Sequence, residues 1–548
     1  MTSRAPQLIS LSHTHHSQCL PTVPVEYVPE YMWQMVSENN MFTFNTDGIT
    51  TKPGRRRRRA LLHAKMAALG AEQYMGGRLL GGSSSINGEQ AVWPTARLLR
   101  AVSAAAGGDP AWGPDAVFAL LRDLETYAGT SPQPRGKAGP LDIKQAPANA
   151  SADAMANDLL AALEAVFGPN GTSNSAGVPT VVDYNDPDTP LSLFAQWQLT
   201  QQPGGARASA STALLSPAVR ARTNLVVATR ATVMRVLFDV EGGGTPRARG
   251  VEYAQAGAGR VAHATREVIL AAGHRSSLLL EASGVGDPDV IAPLLAAVGR
   301  AVISPLPGVG SNLCNDGIVL VTLNATGAAS GAGRAGSPRP DPANLYGGGA
   351  FLPWPGSAPP PASPSLRFTQ VIGAPHIMDA AFGGTPTLAI GVLVLNTTSR
   401  GTAHIQSADP LYAPLVNLDT FNDPTDQANW YYAIKQQVAP LVKSLEDAGY
   451  ALLSPAPALL NGTSKSKILE WVFQSYIHSH HWCGTCAMGT DPGAGAVVDG
   501  AGRVYGVRGL RVADASIFPI KLDGNTGIPA YAAGGVVARK ILEERQRV

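Results

Sequence analysis

Five side chains capable of acid–base, thiolate or metal chemistry crowd into one run, HSHHWCGTC: His478, His480, His481, Cys483 and Cys486. Histidine titrates near neutral pH, so any of the three can take up or release a proton under working conditions. Imidazole and thiolate are also zinc ligands, but no second ligand pair occurs elsewhere at zinc-site spacing, so no metal is expected. Cys483-Gly-Thr-Cys486 has the spacing of a dithiol couple, which needs a helix N-terminus to lower a thiol. A second stretch, GGRLLGGSSSINGEQAVW over 76–93, sets Gly and Ser close together at a chain reversal. Without Cβ atoms in the way, its N–H groups and hydroxyls can approach a flat ring or a phosphate. No G-x-S-x-G elbow is present, so serine hydrolase chemistry is not supported.

These residues need a scaffold, and the chain has 548 residues to build one, enough for two or three domains. Apolar residues make up 45% and charged residues 15%, with 42 basic and 40 acidic side chains and a net charge of +2. That balance excludes a charged disordered tail and gives no global field for gripping nucleic acid. No apolar run approaches the ~18 residues of a membrane helix. The 59 glycines and 43 prolines predict many turns. Strand-like runs (NLVVATRATVMRVLFDV, ARGVEYAQ, REVILAAG, TLAIGVLVLN) alternate with helix-like ones (ASADAMANDLLAALEAVFG, YYAIKQQVAPLVKSLEDAGY), which predicts an α/β part and an α+β part. EVILAAGHRSSLLLEASGVG, over 267–286, reads as a short strand breaking at Gly273 before a Leu-rich helix, and a C-terminal helix can start at Pro529. From Thr326 to Ser365 the composition collapses to Gly, Ala, Ser and Pro, which predicts a long surface loop. The run Arg55 to Arg59 reads as a solvated loop. Four cysteines are too few for a disulfide framework. The first 25 residues hold no acid and one Arg, a faint hint of an organelle transit segment, and no secretory signal is visible.

Two places match a dinucleotide fingerprint, which must follow a strand and open a helix. Gly331, Gly333 and Gly336 sit in the low-complexity stretch, and Gly257, Gly259 and Ala262 join two strand-like runs as a hairpin turn. Both are read as loop glycines.

The combination of motifs resembles the glucose-methanol-choline (GMC) family of flavin oxidoreductases. GGSSSINGEQ is similar to the family's GGSSSxNG signature, and SSLLLEASGVG to S-P-x-L-L-x-x-S-G-x-G. LPGVGSNLCND (306–316) is similar to LPGVGxNLxDH, and HWCGTCAMG, VVD, GLRVADASIFP and GNTGIP to the C-terminal block. Departures occur after Asn87, where Gly-Glu-Gln-Ala-Val-Trp-Pro replaces Gly-Met-x-Tyr-x-Arg-Gly. Residues 21–46 look like the stretch that follows the family's N-terminal GxGxxG unit, so that unit is expected to be missing or altered beyond recognition.

The resemblance implies an α/β fold with a discontinuous Rossmann-like FAD-binding domain (1–90, 225–320 and 478–548). A substrate domain with an antiparallel sheet and helices would take 91–224 and 321–477. It implies oxidation of a small-molecule alcohol to a carbonyl by hydride transfer to flavin N5. Such a reaction needs a base for the hydroxyl proton, a partner for the oxygen and an electron sink. The family's base falls on His481 and its oxygen partner on Asn525. Gly82, Ser83 and Asn87 would lie near the isoalloxazine and ribityl chain, and Val233 would meet the adenine through its backbone. Asp514 and Ala515 would sit near the pyrophosphate or ribityl, Thr526 near the pyrimidine edge, and Trp482 against the cofactor; Trp93 and Trp482 could also line the pocket as stacking surfaces, although buried aromatics are more often core. Ile86 stands where some members carry a covalently attached His, which implies non-covalent FAD. The family also leaves open a non-redox or light-driven flavoprotein, such as a hydroxynitrile lyase or fatty-acid photodecarboxylase, and a degenerate member without cofactor.

Overall fold

The computed structural model describes residues 8–12, 76–145, 154–174, 176–240, 242–325, 346–354, 365–395, 397–462 and 464–547. The arginine run, the Gly331 fingerprint and residues 21–46, which resemble the stretch that follows the family's N-terminal unit, lie outside the described residues.

One part is built on a seven-stranded antiparallel sheet. Its main path runs Tyr450–Ser454, Gly317–Ala325, Thr387–Val394, Arg367–Pro375, Gly349–Pro353 and Ser192–Phe194, and Ile477–His478 pairs with the start of Gly317–Ala325. Arg367–Pro375 and Thr387–Val394 are buried at every position, because both faces of the sheet are covered. Alternate residues point to opposite faces. Val371 and Val392 enter a core with the helices Ala154–Phe167 and Ala439–Asp447. Their neighbours Ile372 and Leu393 pack against Tyr184, Phe194, Trp197 and Phe351 on the other side. Gly349–Pro353 lies within the stretch that composition marks as a loop, yet Phe351 and Leu352 are fully buried. The run is short and apolar between stretches rich in proline and glycine, and antiparallel partners on both edges make it a strand.

The other part carries the short parallel pairs. Val268–Leu270 runs parallel to Leu510–Val512, Leu8–Ser12 to Leu225–Thr229, and Val285–Gly286 to Ser304–Pro305. Beside them, Ala231–Asp239, Arg247–Gln255 and Ala258–His263 form an antiparallel sheet. Its second hairpin turns on Ala256 and Gly257 at φ 53° and 77°, the two left-handed residues of a tight turn, so Gly257 serves a hairpin and no phosphate. The C-terminal helix Gly527–Gln546 starts slightly before Pro529 and buries Ile528, Ala532, Val536 and Val537. The helices Ala96–Ala105 and Pro114–Leu124 pack in the same core as this helix and Val268–Leu270, although they follow position 91, where the sequence boundaries start the substrate part.

Candidate active site

Sheet register places the histidine. Gly317 pairs with His478, which carries Asp316 alongside Ser479. Ser479 donates its N–H to the Asp316 carbonyl at 3.1 Å and its hydroxyl to the same oxygen at 3.0 Å. Further along, Cys314 and Cys483 exchange both backbone hydrogen bonds, at 2.8 and 3.1 Å. Between these anchors the chain turns through His480, which takes a left-handed φ of 61°. His481 is thereby aimed by three contacts. Its N–H donates to Asn315 Oδ1 at 2.8 Å, its Nδ1 lies 2.9 Å from Asp316 Oδ2, and its Nε2 lies 3.1 Å from Asn525 Nδ2.

Asn525 is fixed by two glutamines. Gln370 donates to its Oδ1 at 2.9 Å, and its Nδ2 donates to Gln90 Oε1 at 3.0 Å. Gln370 shares its sheet face with Ile372, the face turned away from the helices, so strand alternation delivers it here. With Oδ1 occupied, Nδ2 is the end that meets His481, and it can only donate. Nδ1 faces a carboxylate, so the ring proton sits there and the Nε2 lone pair faces the amide. The loop carrying Asn525 is held by buried groups. Asp523 accepts from Thr95 Oγ1 at 2.5 Å and Ser365 Oγ at 2.8 Å, and Lys521 pairs with Asp316 Oδ1 at 2.8 Å. The remaining amide ends, Gln90 Nε2 and Gln370 Oε1, are buried without a hydrogen-bond partner.

Next to this site the carboxyl ends of the parallel strands Val268–Leu270 and Leu510–Val512 converge, the usual place for a ligand in an α/β sheet. Asp514 ties them together. Its Oδ2 accepts from Gly273 N–H at 2.9 Å and Ser276 Oγ at 2.6 Å, and its Oδ1 accepts from Ser516 N–H and Oγ at 2.9 and 2.5 Å. Burial pushes its carboxyl above the ordinary range against the pull of those bonds. Gly273 and Gly82, at φ 60° and 55°, both have open space where a Cβ would stand. Gly77 has none: a Cβ there would lie 2.3 Å from Gly82 O. Gly527 opens the long C-terminal helix behind Thr526, with no side-chain cap and no acid in the first turn. Asn87 Nδ2 lies 3.4 Å from where a Gly527 Cβ would be, and Arg207 fixes the Asn87 Oδ1 at 2.8 Å. An uncapped helix N-terminus attracts anionic or electron-rich ligand atoms. These open glycines, the bare helix end and Asn87 suit the flavin half of FAD.

The structure thus brings His481 and Asn525 into contact, links Gly273 to Asp514, and sets Asn87 beside Gly527, which follows Thr526, while Gly82 keeps open space at its Cβ position. Ser83 is exposed and accepts from Gly77 N–H at 3.0 Å. Val233 lies on the Ala231–Asp239 strand opposite Tyr253, next to Thr232, which accepts from Arg78. Ala515 packs in the core beside Ile517 and Phe518. The Trp482 ring is buried in an apolar cluster with Leu278, Ile291, Leu313 and Ile405, and the rings of His478 and His480 also lie against it. Trp93 is likewise core, stacked on Phe118. Cys483 meets Cys314 rather than Cys486, whose thiol burial raises. Sequence reasoning missed Gln90, Gln370, Asp316 and Lys521 as site residues. Only the replacement of the family pattern around Gln90 and Asp316 signalled them. Among the described residues, no His, Cys, Asp and Glu side chains gather as a metal site, and no helix is long and apolar enough to cross a membrane.

The site thus joins a histidine, delivered by an antiparallel sheet, to an asparagine, and the parallel strands of the α/β part end in the linked pair Gly273 and Asp514. Family profiles described as GMC oxidoreductase match residues 64–317 and 397–534. The chain is 31% identical over 497 residues to 5-(hydroxymethyl)furfural oxidase of Methylovorus sp. (strain MP688), covering 86% of this chain and 83% of the relative. It therefore belongs to the GMC oxidoreductase family, whose flavoproteins bind FAD. It is 29% identical over 500 residues to the chloroplastic fatty acid photodecarboxylase of Chlamydomonas reinhardtii, covering 82% of this chain and 75% of that one. With two further curated relatives the alignment spans 58% and 65% of the relative's length. Pyridoxine 4-oxidase from Mesorbium loti shares the fold, with a TM-score of 0.75, 21% identity, and coverage of 98% of this chain and 94% of that one.

Proposed function

We propose that the protein oxidises an alcohol to a carbonyl, with His481 as the base and Asn525 as the donor that orients the oxygen. The observation that carries this reading is the contact of His481 Nε2 with Asn525 Nδ2 at 3.1 Å, with Nδ1 held by Asp316. An alcohol oxygen that displaces this direct contact receives the Asn525 N–H aimed at Nε2 and gives its own proton to the Nε2 lone pair, while the other Nδ2 hydrogen stays on Gln90 Oε1. As the proton leaves, negative charge grows on that oxygen, and the amide N–H, aimed beforehand by Gln370 and Gln90, stabilises it. Gly82, Asn87, Asp514 and Thr526 would hold FAD, which would supply the two-electron acceptor for the carbinol hydride. Ile86 is buried and offers no nucleophile, which supports a non-covalent cofactor.

The test is the visible spectrum of pure protein, followed anaerobically with alcohols. Bleaching of a yellow protein by an alcohol is expected. The His481→Ala variant is expected to stay yellow and to bleach about 10²–10⁴-fold more slowly, the usual worth of a positioned base. An unchanged rate sinks the role of His481. A yellow protein that no alcohol bleaches moves the reading to the photodecarboxylase or lyase type, and a colourless one that cannot be reconstituted with FAD to a degenerate member.

A further inference from the structure

Where the family pattern LPGVGxNLxDH ends in Asp-His, this chain carries Asn315-Asp316. Asp316 is fully buried, with one carboxylate oxygen 2.9 Å from His481 Nδ1 and the other 2.8 Å from Lys521 Nζ. Lys521 is 4% exposed and also donates to the Leu522 carbonyl at 2.5 Å. It belongs to the same loop as Asn525. Lys521, Asp316, His481 and Asn525 therefore form one line of contacts, with a buried cation at one end and the reaction space at the other.

Charge balance gives the line its meaning. A buried carboxylate alone beside an imidazole draws a proton onto the ring, and an imidazolium has no lone pair to accept one from an alcohol. With Lys521 in place, the set is neutral when His481 is neutral. Protonating the ring then leaves an uncompensated charge in a dry site, which is costly. Burial works against the Lys521 ammonium, but the Asp316 carboxylate beside it holds it above its ordinary value. Other titratable groups face the line. His478 and His480 lie on the His481 segment itself, and the buried His274, pushed down to about 3, faces His480. Cys314 is drawn down to about 7, first by its hydrogen bond with Cys483 and further by the fields of Arg400 and Lys521.

We propose that Lys521 is a positioning residue for the reaction: it pins Asp316 and balances its charge, so that His481 stands as a neutral imidazole with its proton on Nδ1 and its lone pair on Nε2. This rests on the reading of His481 as the base, and it acts on His481 without touching substrate.

The test reads His481 directly, through the pH dependence of its modification by diethyl pyrocarbonate, followed by peptide mass spectrometry. It is paired with the pH profile of kcat/KM for an alcohol, and both are run in a Cys314→Ser background to remove the thiol titration. Lys521→Met is expected to move the modification profile to higher pH by about one unit or more, the size of an unbalanced neighbouring charge. The acid limb of kcat/KM is expected to move with it, while the high-pH plateau is retained. Lys521→Arg keeps the charge and is expected to restore the original profile. The double variant Asp316→Asn/Lys521→Met buries no lone charge and so guards against misfolding; its profile is expected to fall below that of the parent, because the carboxylate is gone. A Lys521→Met profile that stays put or moves to lower pH overturns the proposal, as does a double variant that titrates like the parent. Expected modification profiles in a protein that oxidises no alcohol uphold the charge balance and remove only the reading of His481 as a base.

Discussion

Replacing Asn525 by Ala tests the geometry of the site most sharply, because Asn525 is the point where its contacts meet. The substitution removes the Gln370 bond at 2.9 Å, the Gln90 bond at 3.0 Å and the His481 contact at 3.1 Å. One donor aimed at an oxygen that becomes negative is worth about 10²–10³ in rate, or about 2.7–4 kcal/mol. Stability responds separately. Gln370 is fully buried and Gln90 nearly so, and a buried amide end left without a partner costs about 1–3 kcal/mol. Asn525 itself is partly exposed, so water can enter the space left, and the expected loss is about 1–3 kcal/mol rather than the sum of both amides. Anaerobic stopped-flow bleaching of the flavin at saturating alcohol isolates the rate effect, and flavin content per chain checks that the cofactor stays. Asn525→His, the other residue the family pattern uses here, restores an N–H donor and is expected to recover most of the rate. An Asn525→Ala enzyme that keeps its flavin and bleaches within about threefold of the parent rate refutes the role of this amide as an oxyanion donor. So does an Asn525→His enzyme as slow as the Ala variant.

Gly77→Ala forces a Cβ to within 2.3 Å of Gly82 O and should spread the loop beside the cofactor space. Purified variant is expected to carry less flavin per chain, and full stoichiometry counts against the loop as part of the cradle. Arg135→Met strands the buried carboxylates of Glu125 and Asp183, which the guanidinium pairs with at 2.7 and 2.8 Å. A loss of about 3–5 kcal/mol is expected in urea denaturation, and a loss under about 1 kcal/mol contradicts it. Burial holds the Glu281 carboxyl above its ordinary range, with His404 pulling the other way. The folded state then holds a proton that the unfolded chain releases, so its contribution is greatest below the ordinary carboxylate range and declines as pH rises through the raised value. Glu281→Gln is expected to flatten that decline when denaturation midpoints are compared at pH 4.5 and 7; an unchanged slope excludes this group as its source.

Much of the site was legible in the chain because its turns are local. The break at Gly273, the GGSSS reversal, the hairpin at Gly257 and the helix near Pro529 depend on residues within a few positions of one another, and the structure shows each. The surroundings of the Trp482 ring were not legible, because a sequence motif gives position along the chain and not the direction of a side chain; its apolar cluster is made by Leu278, Ile291, Leu313 and Ile405, all remote in sequence. The neighbour of Cys483 was not legible for the same reason, since Cys314, across the strand pair, is remote in sequence.

By itself, the sequence determined the family and the mixed α/β class, and it singled out a histidine able to take up a proton and an asparagine able to donate a hydrogen bond. Tertiary structure decided what surrounds them. Asp316 lies 165 residues from His481, and Gln90 lies 435 from Asn525. No local propensity reports contacts at that separation. They arise from the pairing of Gly317 with His478 and from the strand face that turns Gln370 inward. Burial then gives those contacts their strength, because a carboxylate, an ammonium and an amide removed from water must satisfy one another.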